Sequence, residues 1–353
     1  RTMSEEYGVD LRSKSDAQIA EAVIAKEIER IKGFPPQKLK TKPREFVYDK
    51  PNFLQGLPEI VEEAIKEPFV VKGTGAIEMP AKLAKLVVTV NGNGYQLGMG
   101  GIHSMEKSRV AKSSEDTVLA DFDVTSYYPS IILNCGLYPP QLGVEFLEVY
   151  RKIVDERIEA KNAGDKVKAD SLKIVVNGSF GKFGSQYSVL YAPNLLIQTT
   201  LTGQLSLLML ILWMEKLSIK VVSANTDGIV CCCDKALEPK MMQIIALWER
   251  VTGFNMERTD YAGLYSRDVN NYIALKPSGE VKTKGCFGSA GISKNPQNEV
   301  CSRAVIEYLK NGVTVEDSIR GCQDITKFLT IRTVKGGAVK DGEVLGKAVR
   351  WYY

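Results

Sequence analysis

One histidine, His103, serves all 353 residues, so a zinc site of the usual spaced cysteine and histidine pairs has too few ligands to build on. Alone, His103 reads as a structural histidine rather than a catalyst. No stretch reaches the roughly 18–20 uninterrupted apolar residues of a membrane span, and the polar residues 1–5 lack the apolar region of a secretory signal. A globular, cytoplasmic protein is expected. The opening Arg-Thr-Met-Ser is not how a translated chain starts, so the sequence is expected to continue upstream. Charge of one sign is also lacking, since the net charge is only +4. Its placement says more. Residues 331–353 carry Arg332, Lys335, Lys340, Lys347 and Arg350 against Asp341 and Glu343, which suits either a solvated basic face or a phosphate-facing tail. The seven cysteines are odd in number, and Cys231, Cys232 and Cys233 are consecutive. Strand alternation sends such neighbours to opposite faces, so reduced thiols, mostly in the core, are expected rather than disulfides.

The length allows two or three domains with a substantial core. Ser15, Asp16 and the apolar spacing that follows predict a capped amphipathic helix stopped by Gly33 and Pro35. Residues 34–55 form a proline- and lysine-rich connection. A short helix is expected at 58–66, and residues 86–97 read as a hairpin turning at Asn-Gly. From Val118 an apolar strand ends in Asp121-Phe-Asp-Val and runs into the polar-aromatic turn Thr125-Ser-Tyr-Tyr-Pro-Ser. Residues 141–163 and 166–182 predict an antiparallel helical pair joined by Asn162-Ala-Gly-Asp. An apolar helix over 194–217 leads to a strand from Ile219, the turn Asn225-Thr-Asp-Gly and a strand from Ile229, a hairpin with an aspartate at its tip. Further strands are expected near 272–275 and 280–284. The remainder mixes helix with a basic, aromatic end, and no internal repeat is present.

Asp123 and Asp227 carry the chemistry. Two carboxylates on neighbouring strands, with backbone amides beside them, can hold two magnesium ions about 3.5–4 Å apart for in-line phosphoryl transfer. Either aspartate alone is better explained as a turn or cap residue than as a ligand, so the surrounding motifs decide.

Those motifs resemble family B DNA polymerases. Asp123-Val-Thr-Ser-Tyr-Tyr-Pro-Ser is similar to the family's Asp-x-x-Ser-Leu-Tyr-Pro-Ser. Lys173-Ile-Val-Val-Asn-Gly-Ser-Phe-Gly is similar to its Lys-x-x-x-Asn-Ser-x-Tyr-Gly, with Gly178 and Phe180 as mild substitutions, and Asn225-Thr-Asp-Gly is similar to Asp-Thr-Asp-Ser. The three stand in the family's order, and the resemblance covers roughly residues 95–353, with the flavour of a bacteriophage enzyme. It implies an α/β (α+β) right-hand architecture with an antiparallel-sheet palm, short helical fingers and a thumb. The expected divisions are an N-terminal region and template-side connector at 1–104, palm at 105–140 and 184–290, fingers at 141–183, and thumb at 291–353.

The implied activity is template-directed DNA synthesis in viral replication, in a host cytoplasm, extending primer-template DNA with deoxynucleoside triphosphates. Asp123, Asp227 and the carbonyl of Val124 would hold two Mg2+, with Mn2+ able to substitute. Amides at Ser126 and Tyr127 would cradle the triphosphate, and Tyr128 would sit under the deoxyribose as a steric gate, although a buried tyrosine beside Pro129 is the plainer reading. Arg157 and Lys161 lie four apart on one helix face, as do Lys173 and Asn177 on the next. Lys173 would also serve catalysis as positive charge beside the triphosphate, while Arg157 and Lys161 by themselves equally describe a solvated face. Gly178, Gly181 and Gly184 each weaken a helix interior by roughly 1 kcal/mol relative to alanine, which points to close approach of a base pair or an early helix end.

The departures are as specific. Asn225 replaces the first aspartate of the third motif, which removes a negative charge, and asparagine is also a residue that tolerates a left-handed turn. Asp121 shares a strand face with Asp123 and is either a third carboxylate or structural. Gly100 and Gly101, in Tyr95-Gln-Leu-Gly-Met-Gly-Gly-Ile-His, resemble the segment that touches template, and a plain hairpin also explains them. Tyr272, Lys282 and Lys284 resemble the primer-gripping segment, with Arg350 as a further DNA contact, all of the sequence-blind kind. Residues 1–100 contain no Asp-x-Glu of the family's exonuclease, and the fifty positions from Asp123 to Lys173 leave no room for a terminal-protein insertion. A nucleic-acid primer, a monomeric enzyme and accessory replication proteins are therefore expected. The rivals are another palm polymerase, such as an RNA polymerase or reverse transcriptase, and a catalytically silent DNA-binding module.

Overall fold

The computed structural model describes residues 2–288 and 296–352. It is a mixed α/β structure with antiparallel sheets, and the chain divides into two compact units, Arg1–Met105 with Asp121–Arg258, and Glu106–Ala120 with Thr259–Tyr353.

The first unit is built on a seven-stranded sheet. Its order is Met256–Asp260, Thr117–Val124, Gly228–Asp234, Lys220–Asn225, His103–Ser104, Asn93–Gln96 and Val87–Val90. The helix Pro193–Lys216 packs on this sheet. By length and composition it could cross a membrane, yet 83% of its apolar window is buried. It is apolar nearly all round because it is covered nearly all round. The helix Glu238–Thr252 packs against it, and the buried Trp248 indole donates to the Ser206 carbonyl at 2.8 Å.

Three further helices form one apolar cluster. Asp16–Lys32 starts where the Gln18 side chain accepts the Ser15 N–H at 2.9 Å, and it ends at the left-handed Gly33. Its buried positions Ala20, Val23, Ile24 and Ile28 make one stripe. Glu145–Asn162 buries Phe146, Val149, Tyr150, Ile153 and Val154 at the same spacing. It starts four residues later than its periodicity predicts, because the Pro139 carbonyl caps a turn to Leu142 and Gly143 adopts φ 77°. Lys166–Lys182 begins at Asp165, whose carboxylate accepts the Lys168 N–H at 3.0 Å. The Tyr150 hydroxyl joins the last two helices by donating to the Val176 carbonyl at 3.0 Å.

Gly178 is a close approach between helices. A Cβ there would lie 2.9 Å from Ala20 Cβ and 3.0 Å from the Asp16 carbonyl oxygen, so glycine lets the Lys166–Lys182 backbone rest on the Asp16–Lys32 backbone.

The second unit has a four-stranded sheet in the order Val281–Lys284, Asn271–Leu275, Gly263–Asp268 and Arg109–Lys112. It also contains the helices Glu299–Asn311 and Val315–Arg320 and a hairpin of Leu329–Lys340 with Glu343–Tyr352. The sequence pattern predicts no strand in this basic end. Asp341 and Gly342, at φ 53° and 81°, form the two-residue turn that reverses it. The seven cysteines are free thiols, as expected, but fewer lie in the core than expected: Cys231 and Cys233 are buried on one face of their strand, whereas Cys286 and Cys301 are exposed.

Gly178→Leu is expected to lower stability by about 1–3 kcal/mol through overpacking at the crossing, read as a lower urea midpoint. An unchanged midpoint would show that the two helices can separate without loss.

Candidate functional site

The strand Thr117–Val124 and the hairpin Lys220–Asn225/Gly228–Asp234 meet end to tip. The Val124 N–H donates to the Asp227 carbonyl at 2.7 Å. A Cβ on residue 228 would fall 2.4 Å from Asp123 Oδ1 and 2.8 Å from the Phe122 carbonyl oxygen. Glycine at 228 therefore lets the two aspartate-bearing segments touch.

The tip is a two-residue turn, since Asn225 pairs with Gly228. Its left-handed residue is Thr226, at φ 54°, and not Asn225 as its residue type had led one to expect. A β-branched residue is costly in this region. Thr226 is held there by its N–H, which donates to the Ile102 carbonyl at 2.9 Å, and by its hydroxyl, which donates to Asn225 Oδ1 at 3.1 Å. Asn225 thus acts as the acceptor that pins the turn.

A second left-handed residue stands opposite. Ser126, at φ 49° and ψ 50°, precedes the helix Tyr127–Asn134, whose first N–H groups have no intrahelical acceptor and favour anions. Arg157 Nη1 donates to Ser126 Oγ at 2.9 Å. The ring of Tyr127 turns into the core, where its hydroxyl donates to the Gly203 carbonyl at 2.6 Å. The Tyr128 ring packs on Phe180, with centroids 4.5 Å apart, and its hydroxyl donates to the Gly100 carbonyl. Burial first, and then the negative charge of Asp227, push the Tyr128 phenol up to about 12.

One cavity of about 420 Å³ collects Val124, Ser126, Tyr127, Tyr128, Arg157, Lys173, Asn177 and Asp227, with Phe180 and Thr226 also on its wall. Asp123 is adjacent in sequence to this wall, its Oδ1 against the Gly228 backbone. Gly101 completes the surround, because a Cβ there would lie 2.8 Å from Thr226 Cα. Lys161 is not on the wall and faces Glu257 at 3.5 Å, both well exposed. Asp121 is buried, and its charge acts on the buried Cys231 thiol, which burial already pushes up.

Among the described residues no group of three or more His, Cys, Asp or Glu gathers to hold a metal. Asp123 and Asp227 are the carboxylates that could take Mg2+, an ion that accepts one or two carboxylates and completes its shell with water and substrate phosphates. The signals for Thr226 and Gly228 lay in the turn itself, where a tip without glycine at its first central position needs outside support.

In the second unit, the register pairs Tyr272 with Lys284 and Ala274 with Lys282. Alternation then sets Tyr272, Lys282 and Lys284 on one face of the sheet. Lys282 Nζ lies 6.0 Å from the Tyr261 ring centroid. Arg350 is in the terminal hairpin opposite Ile331, and its side chain lies outside the described residues.

No protein-family model matches the chain, and no curated protein matches it in sequence. Among solved structures it is similar to the family B DNA polymerase of the hyperthermophilic archaeon Pyrobaculum calidifontis, with a TM-score of 0.53 and 13% identity. The match covers 96% of this chain and 45% of that one. The likeness is therefore one of fold, and this chain spans less than half the length of that polymerase.

Tyrosine in an unfolded chain ionises near 10, below the folded value of Tyr128, so both states are protonated at lower pH and the stability contribution is complete there. As pH rises from about 10 towards about 12, the unfolded chain loses its proton first and stability falls. Tyr128→Phe should flatten this fall in a urea-midpoint series across that window. Parallel slopes for both proteins would show that the Tyr128 phenol ionises alike in the folded and unfolded chain.

Proposed function

We propose that this chain is the polymerase portion of a template-directed DNA polymerase of the family B kind, extending a primer with deoxynucleoside triphosphates. The observation that carries this is the single cavity in which Arg157, Lys173 and Asn177, from two helices, face the amide turn at Ser126 and the aspartate hairpin tip. The fold likeness to an archaeal family B DNA polymerase supports it independently.

In this reading Asp123, Asp227 and the Val124 carbonyl hold two Mg2+, with Mn2+ able to substitute. When bound, the metal supplies Lewis-acid charge neutralisation at the phosphates and lowers the pKa of the primer 3′-hydroxyl. The chain's own groups do the rest. Arg157 and Lys173 neutralise the triphosphate, Asn177 donates to it, and the helix start at Ser126 and Tyr127 offers backbone N–H groups. Lys161 would join them only by leaving Glu257. The 3′-oxygen forms a bond to the α-phosphorus as the bond to the β-phosphate oxygen breaks. Pyrophosphate leaves and the hydroxyl proton passes to water. Tyr128, backed by Phe180, fills the space that a ribose 2′-hydroxyl would need.

We assign fingers to 141–183, palm to 105–140 and 184–290, and thumb to 291–353, with 1–104 as the N-terminal region and template-side connector. Gly100, Gly101, Tyr272, Lys282, Lys284 and Arg350 are the proposed DNA contacts, mostly to phosphates. The setting proposed is viral DNA replication in a host cytoplasm, by a monomer working with accessory replication proteins.

Primer extension on a defined template with Mg2+, offering deoxynucleotides and ribonucleotides separately, tests the reading. Growth with deoxynucleotides only, abolished in Asp227→Asn with DNA binding retained, is the expected result. Tyr128→Ala should admit ribonucleotides. Turnover by Asp227→Asn in Mg2+ would sink the site assignment, and metal-independent DNA binding without extension would favour a silent binding module.

A further inference from the structure

We propose that Gln204 is a positioning residue for sugar selection, acting through the Gly98–Ile102 segment that it ties to Tyr128. The inference rests on the polymerase reading and deepens it. Gln204 sits in the apolar helix Pro193–Lys216 and is 1% exposed. A polar side chain so buried is tolerated only when its hydrogen-bonding groups are paired. Here the pairing is directed at one residue. Oε1 accepts the Gly98 N–H at 2.7 Å, and Nε2 donates to the Gly98 carbonyl at 2.8 Å and to Thr200 of its own helix at 3.2 Å.

Two opposed bonds to a single residue fix the orientation of the backbone there, and the segment beyond is short. Two residues on, the Gly100 carbonyl accepts the Tyr128 hydroxyl. Gly101 then lies against Thr226 with no room for a Cβ, and the Ile102 carbonyl accepts the Thr226 N–H at 2.9 Å. One five-residue segment thus joins the buried amide, the sugar-facing phenol and the tip that carries Asp227. Gly98–Ile102 has no regular secondary structure of its own up to His103, so its geometry depends on these anchors. Losing the clamp on Gly98 frees the Gly100 carbonyl, the Tyr128 ring loses its tether, and a 2′-hydroxyl gains room.

The test measures kcat/KM for ribo- and deoxynucleotides in wild type, Tyr128→Phe, Gln204→Leu, Gln204→Glu and the Tyr128→Phe/Gln204→Leu double variant, with amide hydrogen exchange over residues 98–102. The ribo-to-deoxy ratio should rise by about tenfold in Tyr128→Phe and in Gln204→Leu, the scale of one lost hydrogen bond. The double variant should rise no further, because both changes cut the same tether. Exchange at 98–102 should quicken in Gln204→Leu. A helix merely destabilised would lower the amount of active enzyme and leave the ratio alone. Gln204→Glu, protonated where it is buried, keeps an acceptor for the Gly98 N–H and has one O–H donor in place of two N–H donors, so an intermediate ratio is expected. Wild-type ratios in both Gln204 variants, or additive effects in the double, overturn the proposal while leaving the polymerase reading intact. A wild-type protein that extends no primer overturns both.

Discussion

The approach of the hairpin tip to the end of the Thr117–Val124 strand is the constraint on which the site depends. The bond from the Val124 N–H to the Asp227 carbonyl fixes the distance, and the missing side chain at Gly228 permits it. Any Cβ at that position would meet the Asp123 carboxylate before the strands could close. Around this contact the chain tolerates two non-glycine residues in the left-handed region, Ser126 and Thr226. Backbone strain of this kind persists when surrounding bonds over-determine it. Arg157 holds the first, and Asn225 with the Ile102 carbonyl holds the second.

The helical side of the cavity depends on packing rather than on strain. Lys173 and Asn177 project from a helix whose interior face is locked by Tyr150 and by the crossing at Gly178. The third helix of that cluster, Asp16–Lys32, comes from the far N-terminal end of the chain. Positive charge therefore reaches the cavity on a scaffold assembled from segments distant in sequence. Such non-local assembly lets the cationic groups be aimed rigidly, as electrostatic preorganisation requires.

Much of this was legible in the sequence where the signal is local. The spacing of apolar residues gives the helices Asp16–Lys32 and Lys166–Lys182 with their caps, and Asn225-Thr-Asp-Gly marks a hairpin tip with an aspartate. Where the outcome depends on a distant partner, sequence falls short. Gly178 points in sequence to a base pair or a helix end, and the partner that requires it is instead the neighbouring helix at Asp16, Ala17 and Ala20. Gln204 is one polar residue in an apolar run, and nothing local says that Gly98 is its partner. Asn225 had the residue type for a left-handed turn, but the register passed that role to Thr226. Lys161 shared a face with Arg157 by spacing, and its salt bridge to Glu257 comes from elsewhere in the sheet. The terminal hairpin was obscured because Gly336, Gly337 and Gly346 interrupt its alternation.

The crossing at Gly178 has a consequence for modularity. Because the Lys173-bearing helix rests directly on backbone atoms of Asp16 and Ala17, the two surfaces are heritable only as a pair. A chimera that imports a helical pair with a serine at this position would bring a side chain into a space this N-terminal helix already fills. The unit of exchange is then a three-helix block drawn from two separate stretches of the chain, not a contiguous cassette around the Lys173 helix.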